Sequence, residues 1–232
     1  MSEGTIGDRV RGVISSLPDG VTLVGAAKMR TAEEAREAIE AGLTAIGHNY
    51  VQQAVAMRQA LSPWLEQSGR KVDWHLIGHL QRNKAAKAAA AVDMIETIDS
   101  VRIARAVNDC CNATGKTMPV LIEVNSGRES AKAGVPPEGV MELAVEIAKM
   151  PNLRLRGLMT MGPVSGNPED ARPYFRLTKE LFDRLSTAEI GDGEMRWLSM
   201  GMSNSYRTAI EEGANIVRIG TKLFGERSTD QS

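Results

Sequence analysis

Aromatic side chains are scarce: phenylalanine, tyrosine and tryptophan together make up 4% of the 232 residues. That supply is too thin for the stacking platforms that hold single-stranded nucleic acid. Basic and acidic residues nearly balance, leaving a formal net charge of -1, so there is no basic footprint for a phosphate backbone either. Only two cysteines occur, Cys110 and Cys111. As neighbours on a helix they are badly placed to bridge each other, and neither has a partner at metal-ligand spacing. A reducing cytoplasm is the expected home. The histidines are His48, His75 and His79; without a His-x-His pair or a matching acidic pair at another strand end, no metal site is expected. No apolar run reaches membrane-spanning length. The opening segment Met-Ser-Glu-Gly-Thr-Ile-Gly-Asp carries acids and glycines rather than a basic region followed by an apolar stretch, so it reads as no secretory leader.

What remains is a chain that is 42% hydrophobic and 25% charged, enough to bury a full core and without the composition of disorder. Short apolar runs alternate regularly with amphipathic stretches. The candidate strands are 21–27, 43–47, 72–77, 94–98, 120–124, 153–159, 195–199 and 215–219, preceded by a helix over 7–17. Helix punctuation falls between them: Thr31 and Glu34 have capping-box spacing, and Gly42, Gly115 and Gly213 stand where helices should end. Near-continuous apolar strands alternating with helices imply a parallel sheet. Eight such units predict one (β/α)8 TIM barrel in the α/β class, a single domain over residues 1–232 with an extra N-terminal helix.

Active sites of such barrels gather at the C-terminal ends of the strands. That directs attention to Lys28, His48, Asn49, His79, Asp99, Asn125, Thr160, Ser203, Gly220 and Thr221. Two segments, Leu-Ser-Met-Gly-Met-Ser at 198–203 and Val-Arg-Ile-Gly-Thr at 217–221, each read as a buried strand ending in glycine and a hydroxyl residue where a helix begins. Glycine lets the backbone approach an anion, while helix-start N–H groups and a hydroxyl donate to it, which is a phosphate site. Lys28 ends the first strand. Partly apolar surroundings and a second cation, Arg30, are expected to favour the neutral amine that attacks an aldehyde; a lysine at a strand end also simply snorkels to solvent. Arg218 interrupts the apolar run of strand eight. It is either matched by a core carboxylate such as Glu123 or faces a pyridine nitrogen, which an arginine leaves unprotonated. Asp99 and Glu123 form a weak acid–base pair, because Asp99-Ser100 serves equally well as a helix cap.

Ordered segments carry a family resemblance: Trp-His-Leu-Ile-Gly-His-Leu-Gln-Arg-Asn-Lys at 74–84, Arg-Gly-Leu-Met-Thr at 156–160, the two segments 198–203 and 217–227, and the lysine strand 24–28, with Gly-His-Asn-Tyr-Val-Gln at 47–52 after strand two. Together they resemble the pyridoxal phosphate homeostasis family, also called the YggS/PROSC family, over nearly the whole chain. The resemblance implies a barrel like the N-terminal domain of alanine racemases, with pyridoxal 5'-phosphate (PLP) carried by Lys28 as a Schiff base. It further implies Asn49 near the ring hydroxyl, Arg218 at the pyridine nitrogen, and Ser203, Gly220 and Thr221 around the phosphate. Departures are also present: His48 stands where the family has glutamate, Ser205 replaces an acidic residue, and Ala27 precedes the lysine. The histidine is expected to remove a carboxylate from the mouth, and Lys132 after strand five is a competing amine.

Two functional classes follow. One is a monomeric carrier that holds the aldehyde, keeps it scarce in solution and supplies apo forms of cofactor-dependent enzymes. The other is an enzyme: a PLP-dependent racemase, or an aldolase that uses Lys28 directly on a sugar phosphate. The racemases of this lineage add a second domain whose tyrosine supplies one of two bases. Here neither Tyr50 nor Tyr206 has a context that marks it as a base.

Overall fold

The computed structural model describes residues 4–129, 132–163, 166–188, 190 and 194–226. Residues 1–3 of the opening segment and Arg227 at the end of the last motif lie outside them. Eight parallel strands close into a barrel in sequence order: β1 (Thr22–Ala26), β2 (Ala45–His48), β3 (Asp73–Leu76), β4 (Met94–Ile98), β5 (Met118–Val124), β6 (Leu153–Thr160), β7 (Trp197–Ser199) and β8 (Ile216–Ile219). Closure is made by β1 against β8, with Val24 opposite Arg218, so the lysine strand and the Arg-Ile-Gly-Thr strand are neighbours.

The helical layer follows from the sequence signals. A helix α1 (Ile6–Ile14) precedes the barrel; then come α2 (Ala32–Glu40), α3 (Val51–Ser68), α4 (Ala85–Ala91), α5 (Val101–Thr114), α6 (Val140–Ala148), α7 (Arg172–Thr187), α8 (Tyr206–Glu211) and the single turn α9 (Thr221–Phe224). Thr31 accepts from the Glu34 N–H while the Glu34 side chain returns to the cap, a complete capping box worth about 1 kcal/mol. Gly115 ends α5 in the left-handed conformation, at φ 65°. The first helix is shorter than its pattern suggested, because Ser15 caps it. It ties the two ends of the barrel together, with Arg9 Nε donating to the Leu223 carbonyl at 2.8 Å and the Gly7 N–H to Glu37 at 2.9 Å.

Strand alternation splits the apolar side chains into two shells. Outward residues such as Leu23, Ile46, Ile95, Ile122 and Val217 pack under the helices in one large cluster. Inward residues fill the barrel in two small ones, Val24 with Ala45, Ile77 and Ile216, and Met94 with Leu121 and Met159. Trp197 touches both small clusters. Its backbone also explains Gly157 opposite it, since a Cβ there would stand 1.7 Å from the Trp197 carbonyl oxygen. Polar side chains interrupt the fill on the inner face, and they lie beside the functional site.

Candidate functional site

A cavity of about 420 Å³ opens at the C-terminal ends of β1, β2, β7 and β8. Lys28, Asn49, Ser203, Arg218, Gly220 and Thr221 all line it, together with Ala26, Arg30, Met202 and Asn204. Its size suits one small organic ligand. The donors converge: Thr221 Oγ1 lies 3.1 Å from Ser203 Oγ, and the Lys222 N–H donates to the same serine at 3.4 Å. Among the described residues, cationic and hydroxyl groups line this cavity and no carboxylate does, which is the composition of an anion site.

The route to that geometry differs from the sequence reading in detail. β7 ends at Ser199, and Ser203 sits in the turn that follows rather than on a strand end abutting a helix. The turn is made by Gly201 at φ 89°, where a Cβ would come within 2.7 Å of Ala209 Cβ. Ser205, the departure from the family pattern, is buried and its hydroxyl accepts from the Met202 N–H at 3.3 Å. It therefore braces the same turn. At the other segment α9 is a single turn, so the anion-facing groups there are local N–H and hydroxyl donors more than a helix dipole.

Lys28 lies two residues beyond β1, half-buried, with Nζ 5.4 Å from the centre of the Tyr50 ring. The next residue, Met29, has φ 59°, sparsely populated for a non-glycine residue, and Gln53 receives its N–H at 3.4 Å. Arg30 does not act as a lone second cation: its guanidinium pairs with Glu34 at 2.9 Å. Asn49 is seated by close contact with Gly78, where a Cβ would meet the Asn49 carbonyl oxygen at 2.3 Å. Nothing in the sequence pattern marked Gly78 for that role.

Arg218 is 3% exposed and points into the barrel. Its carboxylate partner is Glu96 on β4, at 3.7 Å, not Glu123. Its terminal nitrogens donate to Ser199 Oγ at 2.5 Å and to the Thr160 carbonyl at 2.8 Å. Burial pushes the Glu96 carboxyl up, but hydrogen bonding and charge from His75, the Arg218 charge and the Ser199 hydroxyl outweigh it and hold the group below its ordinary range. Burial lowers Arg218, opposed by the fields of Glu96 and Glu123. Glu123 itself is 7% exposed with no hydrogen-bond partner for Oε2. Burial, then the charge of Asp99, push it up to about 7 against the pull of Arg218.

The other mouth residues named from sequence do structural work. His79 pairs with Asp99 at 3.2 Å, and Ser100 caps α5. Asn125 donates to the Glu129 carbonyl at 2.9 Å and accepts its N–H at 3.1 Å. Thr160 donates to the Val124 carbonyl. Lys132 pairs with Glu129 at 2.7 Å and does not line the cavity. His48 is the clearest correction. Alternation along β2 turns it outward, where it is fully buried and stacked on Trp74 with ring centres 5.9 Å apart. His48 therefore does not line the mouth, and the next residue, Asn49, does.

Comparison with known proteins agrees with this architecture. The family model for the N-terminal domain of alanine racemase matches residues 19–228. A pyridoxal phosphate homeostasis protein of Aquifex aeolicus is 42% identical over 205 residues, 88% of this chain and 86% of its own. PipY of Synechococcus elongatus PCC7942, in a structure with PLP bound, superposes with a TM-score of 0.85 at 29% identity over 95% of this chain and 100% of PipY. An alanine racemase of Clostridium difficile shares the fold at a TM-score of 0.80 and 16% identity, over 97% of this chain and 58% of that one. Closed barrel, strand order and sequence identity agree, and the chain belongs to the pyridoxal phosphate homeostasis protein family.

Proposed function

We propose that this protein binds PLP covalently on Lys28 and acts as an intracellular carrier of it. The observation that carries the reading is that one amine, two convergent hydroxyls and a buried guanidinium line a single cavity of about 420 Å³. The aldehyde of PLP condenses with a primary amine, forming a C=N bond and releasing water. Lys28 is the lysine among the described cavity residues and would supply that amine. Ser203, Thr221 and the backbone at Gly220 would take the phosphate. Asn49 would meet the ring hydroxyl and Arg218 the ring nitrogen. Relatives named for PLP homeostasis and a PLP-bound structural neighbour support the same reading.

A carrier fits this site better than a racemase does. Inverting a carbon needs a base on each face. Among the described residues that line the cavity, the titratable side chains are Lys28, Arg30 and Arg218, and an arginine does not surrender a proton. A guanidinium at the pyridine nitrogen also leaves the ring a weak electron sink. The protein would then hold a reactive aldehyde, keep its free concentration low and pass it to apo forms of cofactor-dependent enzymes, as a cytoplasmic monomer.

The test is the absorption spectrum of the purified or reconstituted protein. A yellow protein whose imine band disappears in Lys28→Ala, with borohydride fixing the label on the Lys28 peptide, supports the assignment. Label on Lys132 would reassign the amine, and a colourless protein that cannot be reconstituted would refute the PLP reading and leave the aldolase. Incubation with L-amino acids in deuterated water separates carrier from racemase: α-deuteration with racemisation at about 1 s⁻¹ or faster, an ordinary enzymic rate, would refute the carrier.

A further inference from the structure

Four side chains from four strands meet inside the barrel beside the cavity. His75 on β3 lies 2.6 Å through Nδ1 from one oxygen of Glu96 on β4. Ser199 on β7 donates its hydroxyl to the other Glu96 oxygen at 2.6 Å and accepts from Arg218 on β8 at 2.5 Å. Contacts between β4 and β7 in a closed barrel pass through its interior, and the exposures agree: Glu96 0%, Ser199 0%, Arg218 3% and His75 4%. Of the four, Arg218 alone lines the cavity.

A buried ion pair is a poor source of net stability, because desolvating both charges consumes most of their attraction. Its geometry is the informative part. The serine hydroxyl has one proton and uses it on Glu96, which leaves its lone pairs to receive Arg218. Glu96 therefore sets the direction in which Ser199 accepts. The other terminal nitrogen of Arg218 is held by the Thr160 carbonyl at 2.8 Å. A side chain with many rotamers is thus fixed at both ends of its planar fork.

We propose that Glu96, braced by His75 and linked through Ser199, is a positioning residue that fixes the Arg218 guanidinium where it meets the ring nitrogen of the bound pyridine aldehyde. The inference rests on the PLP reading and adds to it a role for three residues that do not line the cavity. It predicts that disturbing the linkage is felt through the ring nitrogen and not through the phosphate or the aldehyde.

The experiment compares PLP with its 1-deaza analogue, which carries C–H in place of the ring nitrogen, by absorbance titration of the wild-type protein, Ser199→Ala and Glu96→Gln. A correctly placed charged donor is worth about a tenfold change in affinity or more. Ser199→Ala is therefore expected to weaken PLP roughly tenfold while changing the deaza analogue less than about twofold, and to shift the imine absorption of the PLP form alone. Glu96→Gln is expected to act in the same sense. Ser199→Ala keeps the ion pair, so it remains informative if Glu96→Gln does not fold. Equal losses for both ligands would make the cluster a structural plug and overturn the proposal, as would no loss for either. A wild-type protein that takes up neither ligand would overturn the PLP reading and this inference together.

Discussion

The substitution Glu123→Gln is expected to change how stability depends on pH, and His48→Phe to change it in the opposite sense. Glu123 is buried with an unpartnered Oε2, and its carboxyl is pushed from 4.5 up to about 7. The native state therefore keeps a proton that the unfolded chain releases. The stabilisation is full below pH 4.5 and is lost as pH rises to about 7. His48 is the mirror case: both ring nitrogens are buried without partners, and burial takes it from 6.5 down to about 4. Its stabilisation is full above pH 6.5 and is lost as pH falls to about 4. At 1.36 kcal/mol per pH unit, each window holds about 3 kcal/mol, and between pH 4.5 and 6.5 the two slopes cancel in the wild type. Removing either group uncovers the other. Relative to wild type, Glu123→Gln should gain about 3 kcal/mol as pH is raised across its window, and His48→Phe, which keeps a ring against Trp74, should lose about as much across its own. Urea unfolding followed by circular dichroism at fixed ionic strength, from pH 4.5 to 7.5, measures both. Variant curves parallel to wild type would show that water reaches these groups in the native state and that burial does not hold them where the structure implies.

Replacing Ser203 or Thr221 with alanine should remove a charge-assisted hydrogen bond of about 1.5–3 kcal/mol and weaken PLP retention roughly tenfold or more, with little effect on pyridoxal; equal losses for the two ligands, read by titration, would show that the hydroxyls do not touch phosphate. Gly78→Ala should reduce ligand retention although Gly78 does not line the cavity, because its new Cβ would force the Asn49 carbonyl aside from 2.3 Å; unchanged affinity would show that Asn49 does not depend on that contact. Gly201→Ala should cost about 1–3 kcal/mol in thermal unfolding, since it combines overpacking with φ 89°; a loss too small to measure would mean that the turn before Ser203 relaxes easily.

The barrel was legible because its signals are local and repeat. Apolar runs bounded by caps and glycines report strands and helices one at a time, and eight repeats leave few topologies for a parallel sheet. The weak points were the ends. Residues 195 and 196 precede β7, because apolar character does not show where ladder pairing begins, and α1 stops at Ile14, short of the apolar Leu17. That the six named residues line one cavity was also readable, since strand ends of a barrel share one mouth whatever the details of the loops.

What the sequence could not give was direction and pairing inside the wall. Strand two shows the reason. In the segment Ala-Ile-Gly-His-Asn at 45–49, the side reached by His48 depends on register, and shifting a strand by one residue exchanges inside for outside. Once Val24 pairs with Ala45, Ala45 faces in and His48 faces out, and the histidine leaves the list of mouth residues. Arg218 shows the same limit for charges. Its need for an acceptor follows from one buried guanidinium in an apolar strand, but two acids, Glu96 and Glu123, answer that description from adjacent strands. The choice was made by reach: the Ser199 hydroxyl bridges Arg218 to Glu96 at 2.5 and 2.6 Å, which leaves Glu123 without a partner at Oε2. One acid is therefore held charged and the other pushed towards its neutral form. The barrel interior thus sets the Arg218–Glu96 pair beside a carboxyl whose ionisation follows the pH of its surroundings.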